Sequence, residues 1–193
     1  MTMYILLWPY FRWLHRVKIK GREHIPEGDA VVCANHTAAI DPFYLAYGLG
    51  HKKKNRAKIM AKAELMEIPV VSAFIRSLGA YGVNRGKPDL KAIRYSLDAL
   101  KSGKKLMIFP EGTRSSREES EAKLGAAMLA VRGGAPVLPV YISAGRKRMF
   151  SRIDIIFGET MSTGGVKSST EAYRELADSI MERIWALGPG EGN

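Results

Sequence analysis

Cysteine is almost absent from this chain, which has a single one, Cys33, among 193 residues. One thiol excludes an intramolecular disulfide framework and any metal site built from several cysteines, and it favours a reducing compartment. Long apolar runs are missing too. The longest, Met3–Phe11, is interrupted by Pro9 and falls well short of the ~20 residues that a membrane-spanning helix needs. It lacks a preceding basic residue and a small-residue cleavage site, so a signal peptide is not expected.

Several motifs of well-understood chemistry are also missing. The sequence has no Gly-x-x-x-x-Gly-Lys phosphate loop, no strand followed by Gly-x-Gly-x-x-Gly, and no Gly-x-Ser-x-Gly nucleophile elbow. The four histidines are scattered and form no His-Glu-x-x-His pair, so no metal is expected. Cys33 precedes His36 by three residues, but strand alternation favours burial of this thiol over a nucleophilic role.

Acidic residues are outnumbered: 30 Lys and Arg stand against 19 Asp and Glu, which leaves a net charge of +11. This excess predicts an anionic partner, which could be nucleic acid, an anionic membrane, or a phosphorylated or acidic-protein substrate. The chain is 46% hydrophobic and 25% charged, a composition that excludes wholesale disorder. Because no repeat, low-complexity tract or linker divides it, we expect one domain.

Short apolar runs alternate with amphipathic stretches from residue 17 onward, which is typical of an α/β domain. We therefore predict a mixed, mostly parallel sheet flanked by helices. The predicted strands are Val17–Lys20, Ala30–Ala34, Lys58–Ala61, Ala80–Asn84, Leu106–Phe109, Val137–Ile142 and Ile153–Phe157. Apolar stripes predict three of the helices: Leu90, Ile93, Leu97 and Leu100; Leu124, Met128 and Val131; and Tyr173, Leu176, Ile180, Ile184 and Leu187. Ser168 and Glu171 are spaced as a capping box for the last helix.

The N-terminal segment predicts a short helix over Pro9–Val17, with Pro9 in its first turn. Its apolar face would hold Tyr10, Trp13, Leu14 and Val17, with Arg12, His15 and Arg16 elsewhere on the surface. Such a helix suits the headgroup zone of a membrane, but a helix that covers the domain's own core has the same pattern. The predicted organisation is a membrane-surface helix in residues 1–19, an α/β core in 20–187 and a flexible tail in 188–193.

The first polar cluster follows the strand Ala30–Ala34 and contains Asn35, His36 and Asp41. A histidine acts as a general base near neutral pH when a carboxylate fixes its tautomer and stabilises the imidazolium. On a straight helix, residues five apart point about 140° from each other. His36 and Asp41 can therefore meet only if a turn separates them and the helix begins near Asp41-Pro42, as Pro42 favours. A simple helix cap made by the same residues is the alternative.

Two further clusters also follow strands, where α/β sheets place their ligands. After Leu106–Phe109 come Glu111, Gly112, Thr113 and Arg114. A glycine turn, a hydroxyl and a guanidinium suit a phosphate, while Glu111 could accept a hydrogen bond from a substrate hydroxyl. After the strand near Tyr81, Arg85 offers a second cation. The alternatives are a surface ion pair in the first loop and a solvated arginine in the second.

Together these clusters resemble the glycerophospholipid acyltransferases, best known as lysophosphatidic acid acyltransferases. That family has four ordered blocks: Asn-His-x-x-x-x-Asp, a block ending in Arg, Phe-Pro-Glu-Gly-Thr-Arg-Ser, and a strand with a central Pro. Here they are Asn35-His36 to Asp41, Gly82-Val83-Asn84-Arg85, Phe109–Ser115 and Val137-Leu138-Pro139-Val140. Lys62 and Lys123 match intervening positions of the family. The resemblance covers residues 20 to 145, about two thirds of the chain.

The resemblance implies an O-acyltransferase in which His36, held by Asp41, removes the proton from a glycerol hydroxyl. The hydroxyl then attacks an acyl thioester, so no covalent acyl-enzyme is needed. By the same likeness Arg85, Glu111, Gly112, Thr113 and Arg114 would bind the glycerol phosphate, and Asn35 with the backbone near His36 would stabilise the oxyanion. Lys62 and Lys123 would be accessory residues. No cofactor or metal is implied, and the co-substrate would be acyl-CoA or acyl carrier protein.

The implied acceptor is lysophosphatidic acid, converted to phosphatidic acid; glycerol 3-phosphate or another lysolipid is the alternative within the family. Outside it, a basic nucleic-acid-binding module and a non-catalytic lipid-binding protein are alternatives, although the charge is not interleaved with aromatics as nucleic-acid binding would require. A lipid acceptor implies a peripheral membrane enzyme on the cytoplasmic face. Two clusters of Lys and Arg could contact anionic headgroups or an acidic carrier protein: Lys52, Lys53, Lys54, Arg56 and Lys58, and Arg146, Lys147, Arg148 and Arg152.

Overall fold

Strands and helices alternate through a computed structural model that describes residues 11, 13, 15–50, 57–84, 89–112, 122–143 and 150–189. The strands are β1 (Val17–Lys20), β2 (Ala30–Ala34), β3 (Ala57–Lys62), β4 (Ala80–Val83), β5 (Lys105–Ile108), β6 (Val137–Ile142) and β7 (Ile153–Phe157). The α-helices within the described ranges are α1 (Asp41–Leu49), α2 (Pro69–Ser77), α3 (Leu90–Lys101), α4 (Gly125–Gly133) and α5 (Thr170–Ala186). Two 3₁₀ turns, Arg22–His24 and Ala63–Met66, join them.

All seven strands form one sheet in the order β1-β7-β6-β2-β5-β3-β4. Every neighbouring pair is parallel except β6 and β7, which are antiparallel. The central strands β2, β5 and β6 are buried along their whole length, which explains their continuous apolar sequences, because parallel strands are covered on both faces. The predicted single-domain α/β fold with a mostly parallel sheet is confirmed.

Helices cover the two faces of the sheet unequally. On one face, Val31 and Cys33 of β2 pack into an apolar cluster with buried residues of α3, α4 and α5. On the other, Val32 and Ala34 pack into a second cluster with α1 and with Phe11. The alternation along β2 follows from the two-residue period of a strand. Among the described helices, α1 alone has buried residues in this second cluster, together with Phe11.

Each predicted strand is present, with its ends shifted by at most one residue in β3, β4 and β5. The predicted apolar stripe of α3 is confirmed at three of its four positions. Leu100 is buried, and Ile93 and Leu97 are partly buried against the same apolar cluster, whereas Leu90 is 75% exposed. The stripe missed the buried Ser96, whose hydroxyl hydrogen-bonds that of Tyr81 over 2.7 Å.

The capping of α5 also differs from the prediction. The N-cap is Ser169, whose Oγ accepts a hydrogen bond from the backbone N–H of Ala172 at 3.2 Å. The Ser168–Glu171 spacing therefore does not form the predicted capping box. At its other end the chain stays packed as far as Gly188, where an added Cβ would lie 2.8 Å from the ring of Tyr141. Residues 190–193 of the predicted flexible tail lie outside the described residues.

The N-terminal prediction needs correction. Val17 does not end a helix but begins β1, where it pairs with Ile153, so the core begins before residue 20. Phe11 and His15 are buried while Trp13 is 73% exposed. The exposed Trp13 fits the membrane-surface alternative, whereas the buried His15 was expected on the surface. Burial of His15 is satisfied by a 2.9 Å hydrogen bond between its Nδ1 and the hydroxyl of Tyr44 in α1.

The rest of the predicted N-terminal helix, residues 1–10, 12 and 14, lies outside the described ranges. Within those ranges no helix combines the length and the apolar character needed to cross a membrane.

Candidate functional site

Two loops lie side by side at the carboxyl edge of the sheet. β2 and β5 are parallel neighbours with Cys33 opposite Ile108, so the residues that follow each strand emerge next to each other. The first loop brings His36, and the second brings Phe109 and Glu111. The sheet topology thus brings together two sequence motifs. The hydrogen bond between His36 and Glu111 joins them across 75 residues of sequence.

The contact between His36 and Asp41 is present in the structure. The Nδ1 atom of His36 lies 3.3 Å from Oδ2 of Asp41. Residues 38–40 form a turn, and α1 begins at Asp41 with a proline in its first turn. This is the geometry that the five-residue spacing required. With Nδ1–H donated to the carboxylate, the Nε2 lone pair is left to act as a base.

Asp41 is completely buried, and its carboxylate is held by backbone as well as by the imidazole. Its Oδ2 accepts hydrogen bonds from the N–H of Thr37 at 2.8 Å and of Ala38 at 2.7 Å. These donors stabilise the ionised carboxylate and fix it relative to the loop. A buried anion facing the imidazole favours the imidazolium that forms when His36 takes a proton.

Phe109 packs against the face of the His36 imidazole. Its ring stacks on the imidazole with centroids 4.4 Å apart and an interplanar angle of 29°. The imidazole is therefore held between a carboxylate and an aromatic face, while 15% of its side chain stays exposed. In the sequence, Phe109 ends a predicted strand and begins the Phe109–Ser115 block, with no role of its own expected. Its place in the third motif was the signal that could have marked it.

Glu111 contributes to the position of His36. It is 2% exposed, and its Oε2 accepts a hydrogen bond from the backbone N–H of His36 at 3.1 Å. This bond holds the histidine loop. The expected contact between Glu111 and substrate stays a prediction.

The position of Asn35 does not support the role at the oxyanion that was expected of its side chain. Its side chain is completely buried. Its amide nitrogen donates to the carbonyl of Ile142 at 2.9 Å and its amide oxygen accepts from the N–H of Ile142 at 2.8 Å. This pair of bonds fastens the end of β2 to the end of β6, 107 residues away in sequence. A fully buried amide cannot reach an oxyanion, so the side chain of Asn35 anchors the loop.

Gly112 adopts φ +71°, a left-handed conformation that favours glycine. Its N–H donates to the carbonyl of Phe109 at 3.0 Å, so this amide closes the turn. Lys123 lies beside it: an added Cβ on Gly112 would be 3.5 Å from Cγ of Lys123. The backbone N–H of Lys123 also donates to the carbonyl of Pro110 at 2.8 Å. Lys123 is thus placed next to the third motif.

Several predicted residues fall outside the described residues. These are Arg85, Thr113 and Arg114, together with residues 51–56 and 144–149, which hold most of both basic clusters. Lys62 is described: it ends β3 at the same edge of the sheet and forms an exposed ion pair with Glu64 at 3.0 Å.

Cys33 is buried completely, and this burial raises its pKa far above that of an exposed thiol. A group that stays protonated in the core is not a nucleophile. In the part of the chain that the structure describes, no three His, Cys, Asp or Glu residues gather as a metal site.

Comparison with known proteins shows to which chains this one is similar. Residues 16–143 match the family model described as Acyltransferase. The 1-acyl-sn-glycerol-3-phosphate acyltransferase of Bacillus subtilis is 28% identical over 178 residues, covering 89% of this chain and 87% of the relative. The enzyme of that name from Streptococcus pneumoniae is 30% identical and covers 88% of this chain and 67% of the relative.

A solved structure is also similar. The crystal structure of the 1-acyl-sn-glycerophosphate (LPA) acyltransferase PlsC from Thermotoga maritima has a TM-score of 0.74 and 29% identity. The match covers 100% of this chain and 80% of that one. The alternatives of a nucleic-acid-binding module and a non-catalytic lipid-binding protein are therefore set aside. From its sequence, its fold and its histidine–aspartate pair, the chain belongs to the acyltransferase family.

Proposed function

We propose that this protein transfers an acyl group from a thioester to the free glycerol hydroxyl of a 1-acylglycerol 3-phosphate, which yields phosphatidic acid. The observation that carries the proposal is the partly exposed imidazole of His36, which is oriented by a buried carboxylate and stacked on Phe109. The names of the relatives from Bacillus subtilis and Streptococcus pneumoniae support the choice of acceptor.

The reaction needs one base, which His36 supplies. Nε2 takes the proton of the acceptor hydroxyl while the oxygen attacks the thioester carbonyl carbon. The imidazolium formed is stabilised by the carboxylate of Asp41 at 3.3 Å. When the tetrahedral intermediate collapses, the C–S bond breaks and the departing sulfur takes the proton back from Nε2. An ester and a free thiol are the products, and the histidine returns to its neutral form.

The acceptor phosphate requires cations, and we assign them to Arg85 and Arg114. Both follow carboxyl ends of strands in the sequence, and Arg114 comes two residues after Gly112 in the loop beside His36. A guanidinium matches phosphate with two parallel donors. Lys123, next to Gly112, is an accessory cation at the same loop. We expect Arg85→Ala and Arg114→Ala to raise the KM for the phosphorylated acceptor more than they lower kcat.

The donor would be acyl-CoA or acyl carrier protein, with no further cofactor. A lipid acceptor places the protein at a membrane surface, and the net charge of +11 suits an anionic, cytoplasmic leaflet.

The test is release of free thiol from acyl-CoA in the presence of 1-acylglycerol 3-phosphate. Replacing His36 with Ala should lower kcat by about 10² to 10⁴ and change acceptor binding little, because general-base catalysis contributes about that factor. His24→Ala is a matched control, since this imidazole contacts the Phe157 carbonyl and not the site. Full activity of His36→Ala would refute the mechanism. Faster turnover with glycerol 3-phosphate or another lysolipid would keep the mechanism and change the acceptor.

A further inference from the structure

Helix α2 exposes an apolar side. In Pro69–Ser77 the buried residue is a serine, Ser72, whose hydroxyl accepts a hydrogen bond from Nε of Arg76 at 2.9 Å. Beside it, Val71 and Ile75 are half-buried. The opposite side presents Val70, Ala73 and Phe74, which are spaced i, i+3, i+4 and are all exposed. An ordinary surface helix has polar residues on its exposed side, so this second apolar side is unusual.

The residues that lead into the helix extend this surface. Leu65 is 41% exposed, Ile68 is 49% exposed and Val70 is 81% exposed. We call Leu65, Ile68, Val70, Ala73 and Phe74 the α2 apolar face. Single exposed hydrophobic residues are normal in folded proteins, but a contiguous group of large ones marks an interaction surface.

The α2 apolar face is close to the reacting groups. The ring of Phe74 meets that of Phe43 with centroids 5.6 Å apart, and Phe43 stands in α1 two residues after Asp41. Phe43 also packs against the apolar cluster of the second sheet face. Phe11 packs into the same cluster, and nearby in the sequence His15 is buried while Trp13 is exposed. An apolar surface and an exposed tryptophan thus lie on the side of the molecule that holds the catalytic helix.

Charge distinguishes two partners that could cover the α2 apolar face, a second copy of this chain and an anionic lipid surface. Helix α2 contains no acidic residue, and its one charge is the exposed cation Arg76. Beside it lie two exposed carboxylates, Glu67 and Glu64, of which Glu64 is paired with Lys62. The charges around this face therefore nearly cancel, and the attraction comes from the net charge of +11 of the whole protein. A second copy of this chain would bring the same positive charge to the contact, whereas an anionic lipid surface would be attracted.

We propose that the α2 apolar face is a membrane-docking surface that inserts into the headgroup zone of an anionic bilayer. The choice of a lipid partner rests on the proposed function, because a monoacyl acceptor resides in a bilayer. Docking through α2 would place α1 and His36 at the lipid surface, so the acceptor need not leave the bilayer entirely. Tryptophan at position 13 suits the same interface.

The test is flotation with vesicles of phosphatidylglycerol and phosphatidylcholine, using Val70→Glu and the matched control Leu90→Glu. Both residues are highly exposed, and each lies in the first turn of its helix, where a glutamate suits the helix dipole. Val70→Glu should reduce partitioning into vesicles by about tenfold or more, because apolar contact is lost and a charge is repelled by the lipid. Leu90→Glu should partition like the wild type, and pure phosphatidylcholine should bind the wild type less.

Several outcomes would overturn the proposal. Equal flotation of Val70→Glu and wild type would do so. If Val70→Glu changes the oligomeric state but not flotation, the face is a contact between copies and the proposal fails. If Val70→Glu lowers the Tm but does not change flotation, the face packs within the chain and the proposal fails. The proposed function is tested separately by thiol release. If the wild type binds vesicles but shows no turnover, and Val70→Glu loses vesicle binding while Leu90→Glu keeps it, the membrane-docking proposal is supported and the proposed function fails.

Discussion

Replacement of Asp41 by Asn should separate the charge of this carboxylate from its hydrogen bonds. All three described contacts converge on Oδ2: the imidazole at 3.3 Å and two backbone N–H groups at 2.8 and 2.7 Å. If the amide nitrogen of Asn took the place of Oδ2, its N–H groups would face the backbone N–H groups of Thr37 and Ala38, and no hydrogen bond could form. The Asn oxygen must therefore occupy it, where it can still accept from all three donors. The contact that orients His36 and sets its tautomer is then kept while the negative charge is removed, and an NH2 group takes the place of Oδ1.

The magnitude follows from the distance. A full positive charge on the imidazole, 3.3 Å from a carboxylate, interacts by about 5 kcal/mol at an effective dielectric constant of 20. Because ~1.4 kcal/mol corresponds to tenfold in rate, this sets an upper limit of roughly 10³ to 10⁴. The proton is only partly transferred in the transition state, so we expect Asp41→Asn to lower kcat by about 10² to 10³.

Asp41→Ala is the comparison that makes the prediction specific. It leaves the N–H groups of Thr37 and Ala38 without the acceptor they have in the structure, at a cost of about 1 to 3 kcal/mol each. The alanine variant should lose both kcat and stability, whereas the asparagine variant should lose mainly kcat. The measurements are thiol release at saturating substrate and urea unfolding. An asparagine variant within threefold of wild-type kcat, or one that unfolds as readily as the alanine variant, would contradict the reasoning.

Two further predictions concern buried groups. Asn35→Ala should lower the free energy of unfolding by about 2 to 4 kcal/mol, measured in urea, because the backbone N–H and carbonyl of Ile142 lose their partners; a loss below 0.5 kcal/mol would contradict the anchoring role. Burial lowers the pKa of His15 from its ordinary value of 6.5, so the unfolded chain binds a proton first. Stability should therefore fall as the pH drops below about 6.5, and His15→Gln should remove this part of the pH dependence. Parallel pH profiles of the two proteins would refute the assignment.

Much of the fold could be predicted because its signals are local. Apolar runs of four to six residues between amphipathic stretches marked every strand, since each central strand is buried on both faces. The turn between His36 and Asp41 could be predicted from the spacing and from Pro42, because a straight helix would hold these side chains apart. Cys33 was expected in the core for the same local reason, and it is there.

The contacts that the sequence did not predict join segments far apart in sequence. The inward position of Glu111 depends on the parallel pairing of β2 with β5, and Asn35 finds its partner 107 residues away on β6. The apolar stripe of α3 held at Ile93, Leu97 and Leu100. It missed Ser96, a polar residue on the inner side of the helix, whose hydroxyl meets that of Tyr81. His15 was expected on the surface. It is buried because the hydroxyl of Tyr44, 29 residues away in sequence, forms a hydrogen bond with its Nδ1.

The sequence by itself determined the order of strands and helices, the family motifs, the excess of positive charge and the pairing of His36 with Asp41. These are properties of residue type and of short spacing, which the backbone's periodicities translate directly into structure. Only the tertiary structure decided which polar side chains face solvent and which hold the loops together. It also decided that α2 shows an apolar side outward. Burial depends on what packs against a residue, and that neighbour is supplied by the fold.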